Sequence, residues 1–279
     1  MDETLASAQP ITSRLLAEGA GWRAEEVICR CGPDDPGFEE AHDWTAVAAV
    51  MSGVFTYRTW QGRAVLARGA LMLGEAGKCF ECGHEHGMGD RCVSFHFSPA
   101  FAEDVAGGLA GVRRAGFARP SLAPVDSLAP LMVEARALAA APDPLRAEQA
   151  AIAMASAALA GDQDGRLQRP SAREEAQAVQ AARIIQQRFA EPLTIAGLAA
   201  EVGLSRRRFA TAFRATLGAT PYHYILGRRL EAAAERLAAG EDGVLQVALD
   251  CGFGDLSEFT RRFSARFGRP PARWRRARA

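Results

Sequence analysis

The densest group of side chains that could bind a metal or react lies between Cys79 and Cys92. This stretch holds three thiols and two imidazoles within 14 residues. Thiolate sulfur and imidazole nitrogen are the ligands that zinc takes in a tetrahedral protein site. The candidate metal ligands are therefore Cys79, Cys82, His84, His86 and Cys92. Further candidates, if the fold brings their strands to the same place, are Cys29, Cys31 and His42.

The spacing of this cluster leaves three interpretations open, because it matches no named zinc-finger pattern. The cluster can hold a zinc-like metal ion with a structural or a sensory role. It can be a thiol pair that responds to oxidants, electrophiles or soft metals. It can also be a loop whose thiols are buried as small apolar side chains and whose histidines are solvated.

Short strands must position these side chains. From Glu25 onward the chain shows short apolar runs, such as residues 46–51, 53–58 and 92–97, separated by glycines. The glycines that mark hairpin turns are Gly62, Gly69, Gly74 and Gly77. Many short strands at close spacing predict a sandwich or a barrel, which we place at residues 22–120. A short helix is expected before it, over residues 11–20.

The chain turns helical after the barrel. Apolar spacing predicts helices over residues 128–140 and 145–159, interrupted at Pro142 and Pro144. This helical hairpin, within residues 125–160, completes an N-terminal domain of residues 1–165. A polar, glycine-containing linker then leads to a C-terminal domain of residues 172–279.

The C-terminal third contains one pattern twice. Residues 193–213 and 244–263 each read as an apolar helix, a glycine, a short polar turn and a helix with phenylalanines four residues apart. Gly203 and Gly252 permit the positive φ of a sharp turn, and Thr194 is suited to begin a helix. Since residues 221–237 predict a long amphipathic connecting helix, the whole reads as two helix-turn-helix units held at a fixed separation.

These units, the linking helix and the ending from Phe267 to Trp274 resemble the DNA-binding domain of AraC/XylS-type transcription regulators, over about residues 175–276. The resemblance implies an α+β protein, with a small cupin-like N-terminal β-barrel and helical hairpin before the all-α C-terminal domain. It implies a sequence-specific regulator that binds double-stranded DNA, controlled by a small molecule, a metal or a redox signal at the N-terminal domain. It also implies a homodimer and leaves RNA polymerase open as a further partner.

The same resemblance assigns roles to side chains on the second helix of each unit. These two helices are expected in successive major-groove segments about 34 Å apart. The base-facing positions are Arg207, Ala210 and Thr211 in the first unit, and Leu256, Ser257, Glu258 and Arg261 in the second. The positions assigned to phosphate contact or surface charge are Arg206, Arg208 and Arg262.

The charge is zero overall but unevenly distributed. Residues 171–279 hold 18 Arg against 11 Asp and Glu, an excess of seven positive charges that the remaining residues balance. A basic C-terminal domain on an acidic N-terminal one predicts that nucleic acid binds the former only. The chain shows no long apolar run and no basic segment followed by one at its start, so we expect no membrane span and a cytoplasmic location. In that compartment the six cysteines are reduced thiols or metal ligands rather than disulfides.

Catalytic motifs are missing from the sequence. It has neither a Gly-rich phosphate loop nor a Gly-x-Ser-x-Gly elbow, and the run from His84 to His86 is not His-Glu-x-x-His. We therefore expect a protein that is not an enzyme. The alternative is a metal-dependent cupin-like enzyme fused to a DNA-binding domain.

Overall fold

The computed structural model describes residues 11–35, 38–84, 89–109, 111–112, 114–124, 126–161, 170–240 and 243–276. The strands are β1 Ile11–Gly19, β2 Trp22–Cys29, β3 Phe38–Ala41, β4 Thr45–Thr59, β5 Gly62–Ala67, β6 Leu71–Gly74, β7 Cys79–Gly83, β8 Asp90–Phe97 and β9 Ser121–Leu122. The helices are α1 Pro99–Gly107, α2 Ala129–Ala140, α3 Pro144–Gly161, α4 Ala172–Arg188, α5 Ile195–Glu201, α6 Arg206–Leu217, α7 Pro221–Ala239, α8 Val244–Asp250, α9 Leu256–Phe267 and α10 Pro271–Arg276.

The N-terminal sheet is antiparallel and is organised around the 15-residue strand β4. The first part of β4 pairs with β6 and β8, and its second part pairs with β5 and β7. The register with β8 shifts between Val50 and Ser52, and Gly53 follows with a φ of 88°. A Cβ at Gly53 would lie 2.7 Å from the Cα of Asp90, so only glycine lets β4 pass β8 so closely. The two runs expected as separate strands are therefore one long strand with an irregularity at its centre.

The prediction of a short helix over residues 11–20 is wrong. This stretch is strand β1, which pairs antiparallel with β2 from Ile11 opposite Cys29 to Gly19 opposite Trp22. Its few apolar residues fit either a helical or a strand period, and pairing with the next strand, β2, decides between the two. Leu16 and Ala17 of β1 are buried in the N-terminal core.

The helical hairpin that was predicted after the barrel is confirmed as α2 and α3. Its alanine-rich faces pack onto the sheet and share one core with Phe95 and Leu71. The buried alanines of this contact include Ala135, Ala147, Ala151 and Ala158. Small side chains on a helix allow a close approach to a neighbouring element, and in this fold that element is the sheet.

The C-terminal region contains two three-helix cores joined by α7. Thr220 accepts a hydrogen bond from the backbone of His223 at 3.3 Å, and Pro221 occupies the first turn of α7. The 19 residues of α7 span about 28 Å at the rise of an α-helix. This confirms the expected architecture, in which antiparallel β-structure and a helical pair precede an all-α region with two helix-turn-helix units.

The two regions share apolar packing. Val54 and Ala67 of the sheet lie in the core of the first unit, and Ala129 and Val133 of α2 lie in the core of the second. The predicted linker lies almost entirely outside the described residues, so the domain boundaries stay a prediction. Among the helices that the structure describes, none has the length and apolar character to cross a membrane.

Candidate nucleic-acid interface and cysteine–histidine cluster

The first helix-turn-helix unit consists of α5 and α6. The amide of Gly197 donates to the Thr194 hydroxyl at 2.9 Å, and the amide of Arg208 donates to the Ser205 hydroxyl at 3.4 Å. Gly203 has a φ of 71° in the turn between the helices. The predicted helix start at Thr194 and the predicted turn residue Gly203 are thus confirmed, and Ser205 caps the second helix in the same way. Gln177 of α4, which sequence reasoning did not single out, donates to the Val202 carbonyl at 2.7 Å and holds this turn.

The second unit consists of α8 and α9 and repeats this geometry. Gly252 has a φ of 83°, and Asp255 accepts from the amide of Glu258 at 2.7 Å. The Glu258 carboxylate accepts from Arg262 at 2.8 Å, one turn along α9. Arg229 of α7 donates to the Gly252 carbonyl at 2.9 Å and also to two carbonyls that follow α4. This arginine therefore fixes the second turn, although its position in a long helix gave no signal of that role.

Aromatic side chains form the buried side of both recognition helices. Phe209 and Phe213 meet edge to face with ring centroids 5.5 Å apart. In the second unit Phe263 and Phe267 lie 4.6 Å apart, and Trp274 of α10 packs at 5.0 Å from Phe267. Burial of these rings fixes which face of α6 and α9 points outward.

The outward face carries the positions that sequence reasoning assigned to DNA. The exposed ones are Arg206, Arg207, Arg208, Thr211, Leu256, Ser257, Glu258 and Arg261. Ala210 and Arg262 are half-buried. A groove beside the start of α6 is lined by Arg206, Arg207 and Ala210 together with the start of α5. Leu256, at the start of α9, is 42% exposed on this face.

The arginines of this face fall into two groups. Arg208 binds Glu174 of α4 at 2.9 Å, and Arg262 binds Glu258 and lies over the ring of Tyr222 at 5.6 Å. The other group has no carboxylate partner within the described part of the chain and comprises Arg206, Arg207 and Arg261. The second group can therefore meet a polyanion without first breaking an ion pair.

The cysteines and histidines are arranged differently from the set that their spacing predicted. Cys79 is exposed at the start of β7, whereas Cys82 and Cys92 are buried. His84 is buried, and His86 lies outside the described residues. The structure instead brings together the ligand atoms of Cys29, Cys31 and His84, which lie within 4.8 Å of one another. The metal set predicted from spacing stays a prediction. His84 belongs to it, and Cys29 and Cys31 are two of the further candidates that were expected only if the fold brought their strands near.

Tight backbone packing brings this group together. Cys29, at the end of β2, pairs with Asp90 of β8. The amide of Gly89 donates to the Cys31 carbonyl at 2.8 Å, and a Cβ at Gly89 would lie 2.6 Å from the Cys29 carbonyl oxygen. Gly89 has a φ of 63°, so both its conformation and its contact require glycine. His42 lies apart from the group, hydrogen-bonded to Tyr57 and stacked on Phe80 at 4.2 Å.

Asp90 is the carboxylate of the cluster. His84 Nε2 lies 2.7 Å from one of its oxygens, and the Cys92 thiol donates to the other at 3.4 Å. Burial raises the pKa of Cys29 to about 12, and burial followed by the Asp90 charge raises the pKa values of Cys82 and Cys92. Burial thus favours the neutral thiol form of these cysteines, whereas a positive charge brought into the cluster would favour the thiolate form.

Comparison with known proteins gives the class of the C-terminal region. Residues 198–277 match the family described as a helix-turn-helix domain. The HTH-type transcriptional regulator CdhR of Pseudomonas aeruginosa is 41% identical over 81 residues, which are 29% of this chain and 24% of that protein. A putative AraC-like transcription regulator of Streptomyces lividans is 34% identical over 83 residues, 30% of this chain and 27% of that protein. The probable transcriptional regulator LumQ of Photobacterium leiognathi is 31% identical over 90 residues, 32% of this chain and 36% of that protein.

The chain thus spans between about a quarter and about a third of the length of these curated relatives. Its C-terminal region is a helix-turn-helix domain. More closely, it is of the AraC type, as the resemblance in the sequence implied.

Similar solved structures cover either the C-terminal region or nearly the whole chain. An AraC-type regulator from Chromobacterium violaceum is 30% identical, covers 37% of this chain and 92% of that chain, and has a TM-score of 0.35. The DNA-binding domain of AdpA, solved in complex with a target DNA, is 27% identical, covers 36% of this chain and 91% of that chain, and has a TM-score of 0.35. ToxT from Vibrio cholerae O395 is 11% identical, covers 93% of this chain and 100% of that chain, and has a TM-score of 0.35.

Proposed function

We propose that the protein is a sequence-specific, DNA-binding regulator of transcription. The observation that carries this proposal is the pair of capped helix-turn-helix units, each with an aromatic side buried and a polar side exposed. A recognition helix reads DNA through side chains on its open face near its N-terminus. Both α6 and α9 present such a face, and the basic excess of the C-terminal region supports contact with phosphates.

Within this proposal, two side chains are assigned to base contacts on opposite units. Arg207 extends from the first turn of α6 without a carboxylate partner among the described residues, and a guanidinium can bind guanine with two hydrogen bonds. Leu256 stands exposed at the start of α9 and suits the methyl group of thymine. Ala210 is short, so the first helix reads few bases beyond that of Arg207. The other positions proposed to face bases are Thr211, Ser257, Glu258 and Arg261.

A signal at the N-terminal region is proposed to control DNA binding through the contact between the two regions. Arg68 of the sheet region binds Glu231 of α7 at 3.1 Å and Glu235 at 2.6 Å. A cavity of about 350 Å³ lies beside this contact and is lined from both regions, among others by Arg68, Pro124 and Arg228. The Nη1 atom of Arg228 is buried without a hydrogen-bond partner among the described residues. These features support control by a small molecule that places an acceptor in the cavity.

We further propose that the protein forms a homodimer through the outer face of α3. The inner, alanine-rich face of α3 is already buried against the sheet. Its outer face exposes Leu145 and Ile152, at 68% and 45%. Large apolar side chains exposed on one helix face suit burial against a second copy. The same proposal includes RNA polymerase as a further partner, a cytoplasmic location and the lack of enzymatic activity. What supports it is that the relatives are named as regulators of transcription.

The proposal is tested by selecting DNA sites from a random library with the purified protein. We expect one sequence to be enriched, with two half-sites about one helical turn apart. Arg207→Ala should then weaken binding to that site by about 1–3 kcal/mol and relax the preference at one base position. Arg262→Ala, the comparison variant on α9, should weaken all sequences alike and reduce the salt dependence by about one unit. Failure to enrich any sequence would contradict the proposed function, and unchanged affinity of Arg207→Ala would contradict the role of Arg207.

A further inference from the structure

The buried group of Cys29, Cys31 and His84 has the composition and the size of a metal site. Its three ligand atoms all lie within 4.8 Å of one another. In a tetrahedral zinc site with bonds of about 2.0–2.3 Å, ligand atoms are about 3.3–3.8 Å apart. Side-chain movements on the order of 1 Å therefore suffice to close the group around an ion. We propose that Cys29, Cys31 and His84 bind one thiophilic divalent metal ion, and that Zn²⁺ is the ion that fits them.

The surroundings of His84 support this assignment independently of the distances. Its Nε2 atom is engaged by the Asp90 carboxylate at 2.7 Å, which leaves Nδ1 as the ring nitrogen for a metal ion. A metal-binding histidine commonly donates its other ring nitrogen to a carboxylate, which fixes the ring and increases its basicity. Asp90 is itself held by the Cys92 thiol and by the pairing of β8 with β2. The carboxylate is therefore placed to orient the histidine.

The donor atoms select the kind of metal. Two sulfurs and one nitrogen suit zinc and softer ions, whereas magnesium and calcium require oxygen ligands. Three protein ligands leave one position of a tetrahedral zinc site for a fourth ligand. Cys79, although it belongs to the same stretch of sequence, is exposed and is not part of the proposed site.

The place of the site in the fold connects it to the DNA-binding region. A cleft beside it has Cys29, Arg30 and Asp90 on one wall. The opposite wall is formed by residues of α4, namely Arg183, Gln186 and Gln187. The Nη2 atom of Arg183 is buried without a hydrogen-bond partner among the described residues. An ion bound at Cys29 would change the charge facing α4, so we expect occupancy to alter operator affinity; this last step alone rests on the proposed function.

The metal site is tested first without DNA. Reduced full-length protein is stripped with a chelator and titrated with Zn²⁺ against a chromogenic competitor, and with Co²⁺ to record thiolate-to-cobalt absorption. We expect one ion per chain, with no competition from Mg²⁺. Cys29→Ser and Cys31→Ser should each abolish stoichiometric binding, and Cys79→Ser should retain it. Cys251→Ser is the matched control, because it removes a buried thiol from the second helix-turn-helix unit.

Two results would overturn the site. One is wild-type protein that binds no Zn²⁺ and shows no thiolate-to-cobalt absorption, which does not depend on the folding of any variant. The other is binding that survives in folded Cys29→Ser and Cys31→Ser but is lost in Cys79→Ser, which would return the site to the set predicted from spacing. Operator affinity measured with and without Zn²⁺ should differ by at least about five-fold. Equal affinities would refute the regulatory step, whereas failure to enrich any DNA would refute the proposed function and leave the metal titration unaffected.

Discussion

Glu231→Gln tests the ion-pair network that joins the two regions of the chain. Glu231 lies on α7, is buried, and accepts from Arg68 at 3.1 Å and from Arg266 of α9 at 2.9 Å. The three side chains are 9%, 11% and 8% exposed. One carboxylate therefore connects the sheet region, the linking helix and the second recognition helix. Glutamine keeps the shape and one acceptor but removes the charge.

The size of the effect depends on the contacts that Arg68 and Arg266 retain after the substitution. Removing one member of a buried ion pair typically costs about 3–5 kcal/mol, because the remaining charge is left uncompensated. Arg68 retains Glu235 at 2.6 Å, and Arg266 has further contacts, so neither becomes isolated. We therefore expect the lower end of that range, about 3 kcal/mol in the free energy of unfolding. For a protein of this size that corresponds to a fall of about 5 °C in the melting temperature.

The assay is thermal unfolding followed by circular dichroism of the helices. The control is Glu191→Gln, because Glu191 also binds an arginine, Arg188 at 2.8 Å, but on the surface with 52% exposure. Exposed pairs contribute little, so the control should melt with the wild type. A Glu231→Gln protein that also melts with the wild type would refute the idea that this carboxylate holds the two regions together.

The pH dependence of the difference gives a second check. Burial alone would raise the pKa of Glu231, but Arg68, Arg266 and Arg228 outweigh it and lower the pKa. A carboxylate with a lowered folded-state pKa stabilises the protein above its unfolded pKa of about 4.3 and loses this contribution as pH falls through the folded value. The difference between wild type and Glu231→Gln should therefore be constant near neutral pH and shrink in acid. A stability difference that grows in acid would contradict a lowered pKa of Glu231 in the folded protein.

Two further predictions concern the first turn and the assembly. Gly203→Val should destabilise the first unit by about 1–3 kcal/mol, because valine is strained at a φ of 71°. A steric clash is not the cause, since the atom nearest to a new Cβ is 3.8 Å away. The control in a melting experiment is Gly254→Val, because Gly254 has open space and a φ outside the left-handed region. Equal losses of stability in the two variants would show that the φ of Gly203 is not the cause. Ile152→Glu should turn a wild-type dimer into a monomer in sedimentation at tens of micromolar, because a charge would then lie in the apolar contact; a wild-type monomer would contradict the dimer.

The C-terminal units could be predicted from the sequence because local rules decide them. Thr194, Ser205 and Asp255 cap helices with their own side chains, and Gly203 and Gly252 adopt a φ that other residues avoid. Each of these signals acts within a few residues of the chain. Repetition of the pattern then made chance agreement improbable.

Pairing between strands explains what the sequence could not show. Residues 11–19 form a strand because they pair with β2, the next strand along the chain, and their own apolar spacing does not record that partner. The Cys29, Cys31 and His84 group joins residues more than 50 positions apart through the pairing of β2 with β8. Spacing within residues 79–92 could only propose a local set, and the sequence could name Cys29 and Cys31 only on the condition that the fold brought their strands near. The bond between Arg68 and Glu231 spans 163 positions and has no sequence pattern at all.

The packing of the two units against the N-terminal region bears on how a signal could reach DNA. The first unit shares its core with Val54 and Ala67 of the sheet, whereas the second shares its core with Ala129 and Val133 of α2. Helix α7 alone therefore does not set the relative positions of the recognition helices. Any change that moves the sheet relative to α2 also moves one unit relative to the other, and two half-sites on DNA tolerate only one spacing. Arg68 and Glu231 lie between these two contacts, so their ion pair would oppose such a movement. A ligand that binds one arrangement more tightly than the other would shift DNA affinity by the difference between its two binding free energies.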